Sequence, residues 1–217
     1  MAEILLIRHG QSANNAGPET ERVCDPNLTA LGKQQAQVAA DFLAKRSITH
    51  LYCSPFLRAL ETTAPIAKKT NLIPSVRSDI FEVGGCYSGH DAVGRKGEPG
   101  LGAQDIAKAY LGWSIDDSIS ASGWWGQPFE SMDQAVARAQ SVAQWLRREI
   151  AIIPGAHALV IHADFKHLLL TELLGQEPEL GEPLYNVGIT TFKVQDENWH
   201  PVRLNSVEHF SSELISH

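Results

Sequence analysis

The chain reads as an α/β protein with a mostly parallel central sheet, and three observations support that class. Segments 3–7, 50–53 and 157–161 are short, apolar and bounded by turn or helix-start signals. Stretches of helical periodicity lie between them, an alternation that implies parallel strands joined by crossover helices. Each run also ends on chemistry: Arg8-His9-Gly10 follows Ile4-Leu5-Leu6-Ile7, Ser54-Pro55-Phe56-Leu57-Arg58 follows the second run, and His162 follows Ala158-Leu159-Val160-Ile161. The carboxyl ends of strands are where open α/β sheets bind ligands.

The stretch 29–46 carries Leu31, Val38, Ala39, Phe42 and Leu43 on one stripe. Thr29 is placed as its N-cap, and Lys45-Arg46 complement the macrodipole at its end. Ser54 followed by Pro55 predicts an N-cap and a first helical position, with Arg58 in the first turn of a helix running to about Lys69 and Pro65 kinking it or ending it early. The strongest helical period is 131–150, where Met132, Val136, Ala139, Ala143, Leu146 and Ile150 recur at steps of three and four. Ser131 and Gln134 form a capping box ahead of it, and Arg147-Arg148 close it. A shorter helix, 164–174, buries Leu169, Leu170 and Leu173 and stops at Gly175. Residues 189–194 and 202–204 alternate as strands around a turn near Asn198. Between about 83 and 127 glycines interrupt every regular period, and Trp113, Trp124 and Trp125 follow, so this region reads as an inserted lid or substrate-binding excursion within a single domain spanning 1–217.

Composition narrows the partners. A net charge of −7 offers no basic field for a nucleic acid backbone or an anionic membrane, so a local cationic pocket points to a small anionic substrate. No signal-like leader and no apolar run approaching the ~20 residues of a membrane span is present, which predicts a cytoplasmic protein. Cys24, Cys53 and Cys86 are odd in number and lack C-x-x-C spacing, so they read as reduced thiols. His157, His162 and His167 recur at five-residue steps, which fits neither one helical face nor a zinc motif, and no metal is expected. Gly94-Arg95-Lys96-Gly97 lacks the preceding strand and the G-K-[ST] of a phosphate loop. His90, His200, His209 and His217 read as exposed polar residues.

The chemistry-bearing residues fall in a recognisable order. Leu6-Ile7-Arg8-His9-Gly10-Gln11-Ser12 with Asn15, then Leu28-Thr29-Ala30-Leu31-Gly32, then Ser54-Pro55 with Arg58-Ala59 and Thr62, followed by Glu82, Glu130-Ser131 and His162, resembles the histidine phosphatase superfamily, the phosphoglycerate-mutase-like group. The resemblance spans most of the chain and covers the 83–127 region least. It implies a three-layer α/β/α sandwich and a phosphatase that works through a phosphohistidine. His9 would attack phosphorus in line while Arg8, Arg58 and His162 hold the equatorial oxygens, a reaction dominated by positioning and preorganised positive donors. Ser12 and Asn15 match positions that touch substrate or phosphate, and Glu82 matches the general acid that protonates the leaving alkoxide and then activates water. No cofactor or metal is implied; the partners are a small phosphate ester and inorganic phosphate, and the oligomeric state is left open.

Two departures bear on that expectation. Where the family has Ser-His-Gly, this chain has Ile161-His162-Ala163-Asp164, so Ala163 would be strained if its φ were positive, and Asp164 is expected to cap the following helix. Where mutases carry an Arg-His-Tyr-Gly-like segment, this chain has Glu82-Val83-Gly84-Gly85-Cys86-Tyr87, which favours hydrolysis over transfer. Tyr87, Trp124 and Trp125 are candidates for an apolar subsite, with packing as the blander role. Glu130 reads as a helix-start carboxylate rather than a catalytic one. The alternatives are a phosphoglycerate-type mutase and a weakly active phospho-ligand-binding regulatory protein.

Overall fold

The computed structural model describes residues 1–179, 183–195 and 198–217. The expected first strand forms β1 (Ala2–Arg8), and short α1 (Ala13–Ala16) follows it; α2 (Ala30–Ala44) starts at Thr29, whose side chain accepts from the Gly32 amide at 3.0 Å. Next come β2 (His50–Cys53), α3 (Leu57–Thr70) and β3 (Ser75–Val76). The glycine-rich region from 83 to 127 contains an antiparallel ribbon of β4 (Tyr87–His90) and β5 (Gly94–Gly97), then α4 (Ala103–Ala109) and β6 (Ser114–Ile115). The chain continues through α5 (Met132–Trp145), a π-turn over Leu146–Ile150, β7 (Gly155–Ile161), α6 (Ala163–Leu174), β8 (Ile189–Gln195) and β9 (Asn198–Ser206). Asn198, expected in the turn between the last two strands, is instead the first residue of β9, and residues 196–197 lie outside the described residues.

Seven strands form one sheet in the order β6-β3-β2-β7-β1-β8-β9. The first five run parallel, and β8 enters antiparallel to β1. Side-chain alternation divides the core between the two faces. Leu5 and Ile7 join Ala158, Val160, Leu43 and Leu60 on the side of α2 and α3, while Ile4 and Leu6 join Leu159, Ile161, Val142, Leu146 and Leu170 on the side of α5 and α6. Each of these residues is fully buried, at roughly 1.5–3 kcal/mol per large aliphatic side chain. This is the three-layer arrangement that the resemblance implied.

Local chemistry explains where the elements depart from expectation. α3 begins at Leu57 rather than Pro55, because the Ser54 hydroxyl is turned into the site and Phe56 occupies the N-cap. Pro65 lies inside α3 without ending it; its ring sits on a half-exposed face, where water can satisfy the carbonyl that lost its donor. In α5 the buried stripe is Ala135, Ala139, Val142 and Ala143, and Met132 is left 58% exposed at the helix start. His209 is not an exposed polar residue: it lies between Phe42 and Phe210, and burial pushes its pKa down to about 4. The cysteines are free thiols, with Cys53 and Cys86 buried. Among the described residues, no helix is long and apolar enough to cross a membrane.

Candidate active site

Strand register performs the first step of assembly. Arg8 pairs with Ile161 across β1 and β7, and Val160 pairs with Cys53 across β7 and β2. The next residues on all three strands, His9, His162 and Ser54, therefore emerge side by side at the carboxyl edge. The His9 and His162 rings lie 5.0 Å apart, centroid to centroid. α3 starts just beyond Ser54 and brings Arg58 to the same point, so the two imidazoles and the Arg58 guanidinium singled out from sequence meet in one buried cluster, with Arg8 on the adjoining strand end.

Hydrogen bonds fix the state of the His9 ring. Nδ1 donates to the Gly10 carbonyl at 2.7 Å, and Nε2 accepts from Arg58 Nε–H at 3.1 Å. The proton is thus committed to Nδ1, and the Nε2 lone pair faces the guanidinium. Burial, then the Arg58 and Arg8 charges, hold the His9 pKa well below that of an ordinary imidazole, so the ring is neutral at pH 7. The loop that carries it is clamped by close backbone approach. A Cβ at Gly10 would lie 2.7 Å from the Gly32 carbonyl oxygen, and one at Gly32 would lie 2.0 Å from that of Gln11, so neither position accepts a side chain. Thr62 accepts from the Gly10 amide at 3.0 Å and ties the loop to α3.

His162 is fully buried and likewise held well below the usual imidazole pKa, by burial first and the Arg58 charge second. Its Nε2 bonds to the Ser54 hydroxyl at 2.7 Å, while Nδ1 has no partner among the described residues. Ala163 opens α6 with ordinary negative φ, so replacing glycine there costs no backbone strain. Arg8 donates to the Leu184 carbonyl, and burial lowers its pKa against the opposing pull of Glu82 and Asp164. Burial also brings Arg58 down to about 10.

Glu82 occupies the role at α6 that Asp164 was expected to fill. Its carboxylate accepts from the amides of Val83 (2.9 Å), Phe165 (3.0 Å) and Asp164 (3.4 Å), while Asp164 sits in the first helical turn. Burial and the Asp164 charge raise its pKa, and the amides and Arg58 oppose them. Ser12 donates from its amide and hydroxyl to Asn15 Oδ1 at 3.0 and 2.9 Å. Both residues therefore stand beside the His9 loop bonded to each other at the start of α1. Trp124 is 7% exposed and packs on Phe56, which itself meets the His162 ring edge-on, so it forms part of the wall behind the site.

Several participants escaped the sequence reading. Asp25 accepts from the Leu57 amide at 2.8 Å at the start of α3, and burial raises its pKa to about 6. Lys166, one turn beyond His162, is fully buried, donates to the Gly188 carbonyl at 2.8 Å, and is pushed down to about 7 by burial and Arg8. Asn186 donates to the His9 carbonyl at 3.2 Å and accepts from Ser216 at 3.0 Å. Val187 beside it adopts φ +54°, a strained conformation for a β-branched residue, and its amide donates to the Arg8 carbonyl. Glu130 is not a helix-start charge: it is 5% exposed and makes a two-pronged ion pair with Arg138, Nε to Oε1 at 2.8 Å and NH2 to Oε2 at 2.7 Å. Asp25, Lys166 and Asn186 had no local signal because their partners lie 22 or more residues away, whereas Glu130 pairs with Arg138 in the helix that directly follows it.

Fold and site together define an α/β protein whose sheet edge gathers imidazoles and guanidiniums around one small volume. The chain belongs to the histidine phosphatase superfamily (branch 1), whose family model matches residues 4–207. It is 32% identical over 127 residues to an uncharacterized protein of Mycobacterium tuberculosis, 58% of each chain. It is 33% identical over 79 residues to the glucosyl-3-phosphoglycerate phosphatase of Mycolicibacterium vanbaalenii, 36% of this chain and 35% of that one. These alignments span less than two thirds of the relatives' lengths. Among solved structures, a mutant phosphoserine phosphatase from Entamoeba histolytica in complex with phosphoserine superposes with TM-score 0.66 at 22% identity, covering 97% of this chain and 100% of that one. A phosphoserine phosphatase from the same organism in complex with 3-phosphoglyceric acid gives TM-score 0.66 at 25% identity, covering 96% and 99%.

Proposed function

We propose that the chain is a cofactor-independent phosphomonoesterase that hydrolyses small organic phosphate esters through a phosphohistidine on His9. The observation that carries this reading is the His9 ring itself: buried, neutral, with its proton committed to Gly10 and its lone pair turned to Arg58. An ester phosphoryl group entering between the rings would take over the Arg58 contact. Nε2 then forms the P–N bond as the ester P–O bond breaks, with Arg8, Arg58 and His162 Nδ1–H holding the equatorial oxygens. Ser54 donating to His162 Nε2 would keep that ring's proton on Nδ1. Glu82 passes its proton to the departing alkoxide; its carboxylate then takes a proton from water, whose oxygen displaces the histidine and releases inorganic phosphate. Ser12 and Asn15 border the phosphate, and the 83–127 region recognises the organic portion.

The expected experiment is rapid quenching during turnover of a 32P-labelled ester. Label should appear on protein as an acid-labile, base-stable adduct and chase into free phosphate. Absence of such an adduct, or an isomerised ester in place of phosphate, would overturn the assignment, the latter in favour of the mutase.

The pH profile follows from the directions of the shifts. The neutral histidines stay reactive well below pH 6.5, whereas Glu82 must hold its proton for the first step, so activity declines as pH rises through its elevated pKa. Glu82→Gln should lower kcat by about 10²-fold on alkyl esters and flatten that basic limb. A much smaller loss is expected with 4-nitrophenyl phosphate, whose leaving group needs no proton. An unchanged basic limb in the variant would remove Glu82 from the acid role.

A further inference from the structure

Lys166 is a fully buried cation that the proposed steps leave unused. It stands on α6 one turn beyond His162, with its amide bonded to the His162 carbonyl at 2.9 Å. Its ammonium reaches across to the residues just before β8 and donates to the Gly188 carbonyl at 2.8 Å. That oxygen also accepts from the Arg8 amide at 3.3 Å, so one carbonyl ties the helix that follows His162 to the strand end that carries His9.

Gly188 belongs to a turn that its surroundings hold in place. Its amide donates to the Tyr185 carbonyl at 2.9 Å, Val187 beside it has φ +54°, and a Cβ at Gly188 would run into the Asn205 side chain and lie 2.9 Å from the Tyr185 carbonyl oxygen. This turn grips the His9 loop beyond the last strand pair, Ile7 with Ile189. The Val187 amide donates to the carbonyls of Arg8 (3.1 Å) and His9 (3.3 Å), and Asn186 Nδ2 donates to that of His9 at 3.2 Å. A sparsely populated backbone conformation persists only where neighbouring groups over-determine it, and the Lys166 ammonium supplies the contact from the α6 side.

Packing alone gives no reason for a charge at this position. Lys166 shares a buried stripe of α6 with Leu169, Leu170 and Leu173, where an aliphatic side chain of the same length would fill the space without taking a charge out of water. Among the described residues the ammonium has no carboxylate partner and uses one of its three N–H donors, on the oxygen it shares with the Arg8 amide.

We infer that Lys166 is a positioning residue for phosphoryl transfer: by holding the Gly188 carbonyl it fixes the Val187–Gly188 turn against the Arg8–His9 strand end, and so sets the His9 imidazole for in-line attack. The step it serves rests on the phosphomonoesterase reading, whereas the contact does not.

Lys166→Met keeps the length of the side chain and removes the charge and the donor. On a phosphomonoester, kcat should fall about 10- to 100-fold, the order of loss that a shift of about 1 Å in a reacting group brings. KM and the affinity for inorganic phosphate should change far less, because Arg58 and His162 do not depend on the turn. Tm should hold or rise, since an apolar side chain replaces a buried charge. With 15N-labelled histidine and no substrate present, the His9 Nδ1–H signal, assigned by its loss in His9→Ala, should shift and exchange faster with water in Lys166→Met. Lys166→Gln, neutral and shorter, gives the same readouts if the methionine variant does not fold. An unchanged kcat, or a His9 signal that stays in place, would overturn the inference. So would parallel losses of Tm and kcat with that signal unmoved, which would mark a packing role. If the wild-type protein forms no phosphohistidine yet the His9 signal moves with Lys166, the phosphatase reading fails and the Lys166 contact stands.

Discussion

His9→Ala is expected to lower kcat by at least about 10⁴-fold while leaving the fold intact, because it removes the atom that would bond phosphorus and leaves the surrounding cations in place. The same ring could in principle be replaced by its neighbour, since His162 is also buried and neutral. Geometry separates them: His162 Nε2 is occupied by the Ser54 hydroxyl at 2.7 Å, whereas His9 Nε2 meets only a donor that a phosphoryl group would draw away. Removing the imidazole should not weaken phosphate binding in proportion, because Arg8, Arg58 and His162 remain. The measurements are single-turnover kinetics, circular dichroism and titration with inorganic phosphate. Substantial turnover in the variant, or transfer of the phosphoenzyme label to His162, would defeat the nucleophile assignment.

The parts of the fold legible in sequence were those in which local pattern and tertiary environment agree. β1, β2 and β7 are apolar because both faces of a parallel sheet are covered, and the caps at Thr29, Ser131 and Gly175 act within their own turns. The cluster of His9, His162, Arg8 and Arg58 was visible for the same reason, since strand ends in a parallel sheet converge by register. What sequence could not give are contacts closed by long-range packing. Ser54 followed by proline has the form of a helix start, yet its hydroxyl serves His162, 108 residues away. Asp164 has the form of a cap, yet Glu82 arrives from another segment and takes those amides. Met132 follows the helical period but falls at the first turn, before the helix reaches the sheet.

The Glu130–Arg138 pair is the feature sequence hid most completely, and breaking it should have the largest effect on stability. Arg138 donates to the carbonyls of Asp79 (3.1 Å) and Phe81 (3.0 Å), just ahead of Glu82, while Glu130 Oε2 accepts from the Gly84 amide (3.3 Å), just after it. The guanidinium also lies 3.6 Å from the Phe81 ring centre and 4.2 Å from that of Phe165, on α6. The pair therefore brackets the candidate acid and joins its segment to α5 and α6. Arg138→Met strands a carboxylate that is 5% exposed, and removing one partner of a buried ion pair costs about 3–5 kcal/mol. For a chain of this size each kcal/mol shifts Tm by roughly 2–4 °C, so a fall on the order of 10 °C is expected. Glu130→Gln keeps the shape, and should lose less stability while lowering kcat on alkyl esters, because the segment that carries Glu82 is then bracketed less firmly by Arg138 and the Gly84 amide. Combining the two substitutions should cost less than their sum, since the second removes the charge that the first left unpaired. Strict additivity in thermal unfolding, or a kcat untouched by Glu130→Gln, would mean that the pair neither couples nor positions Glu82.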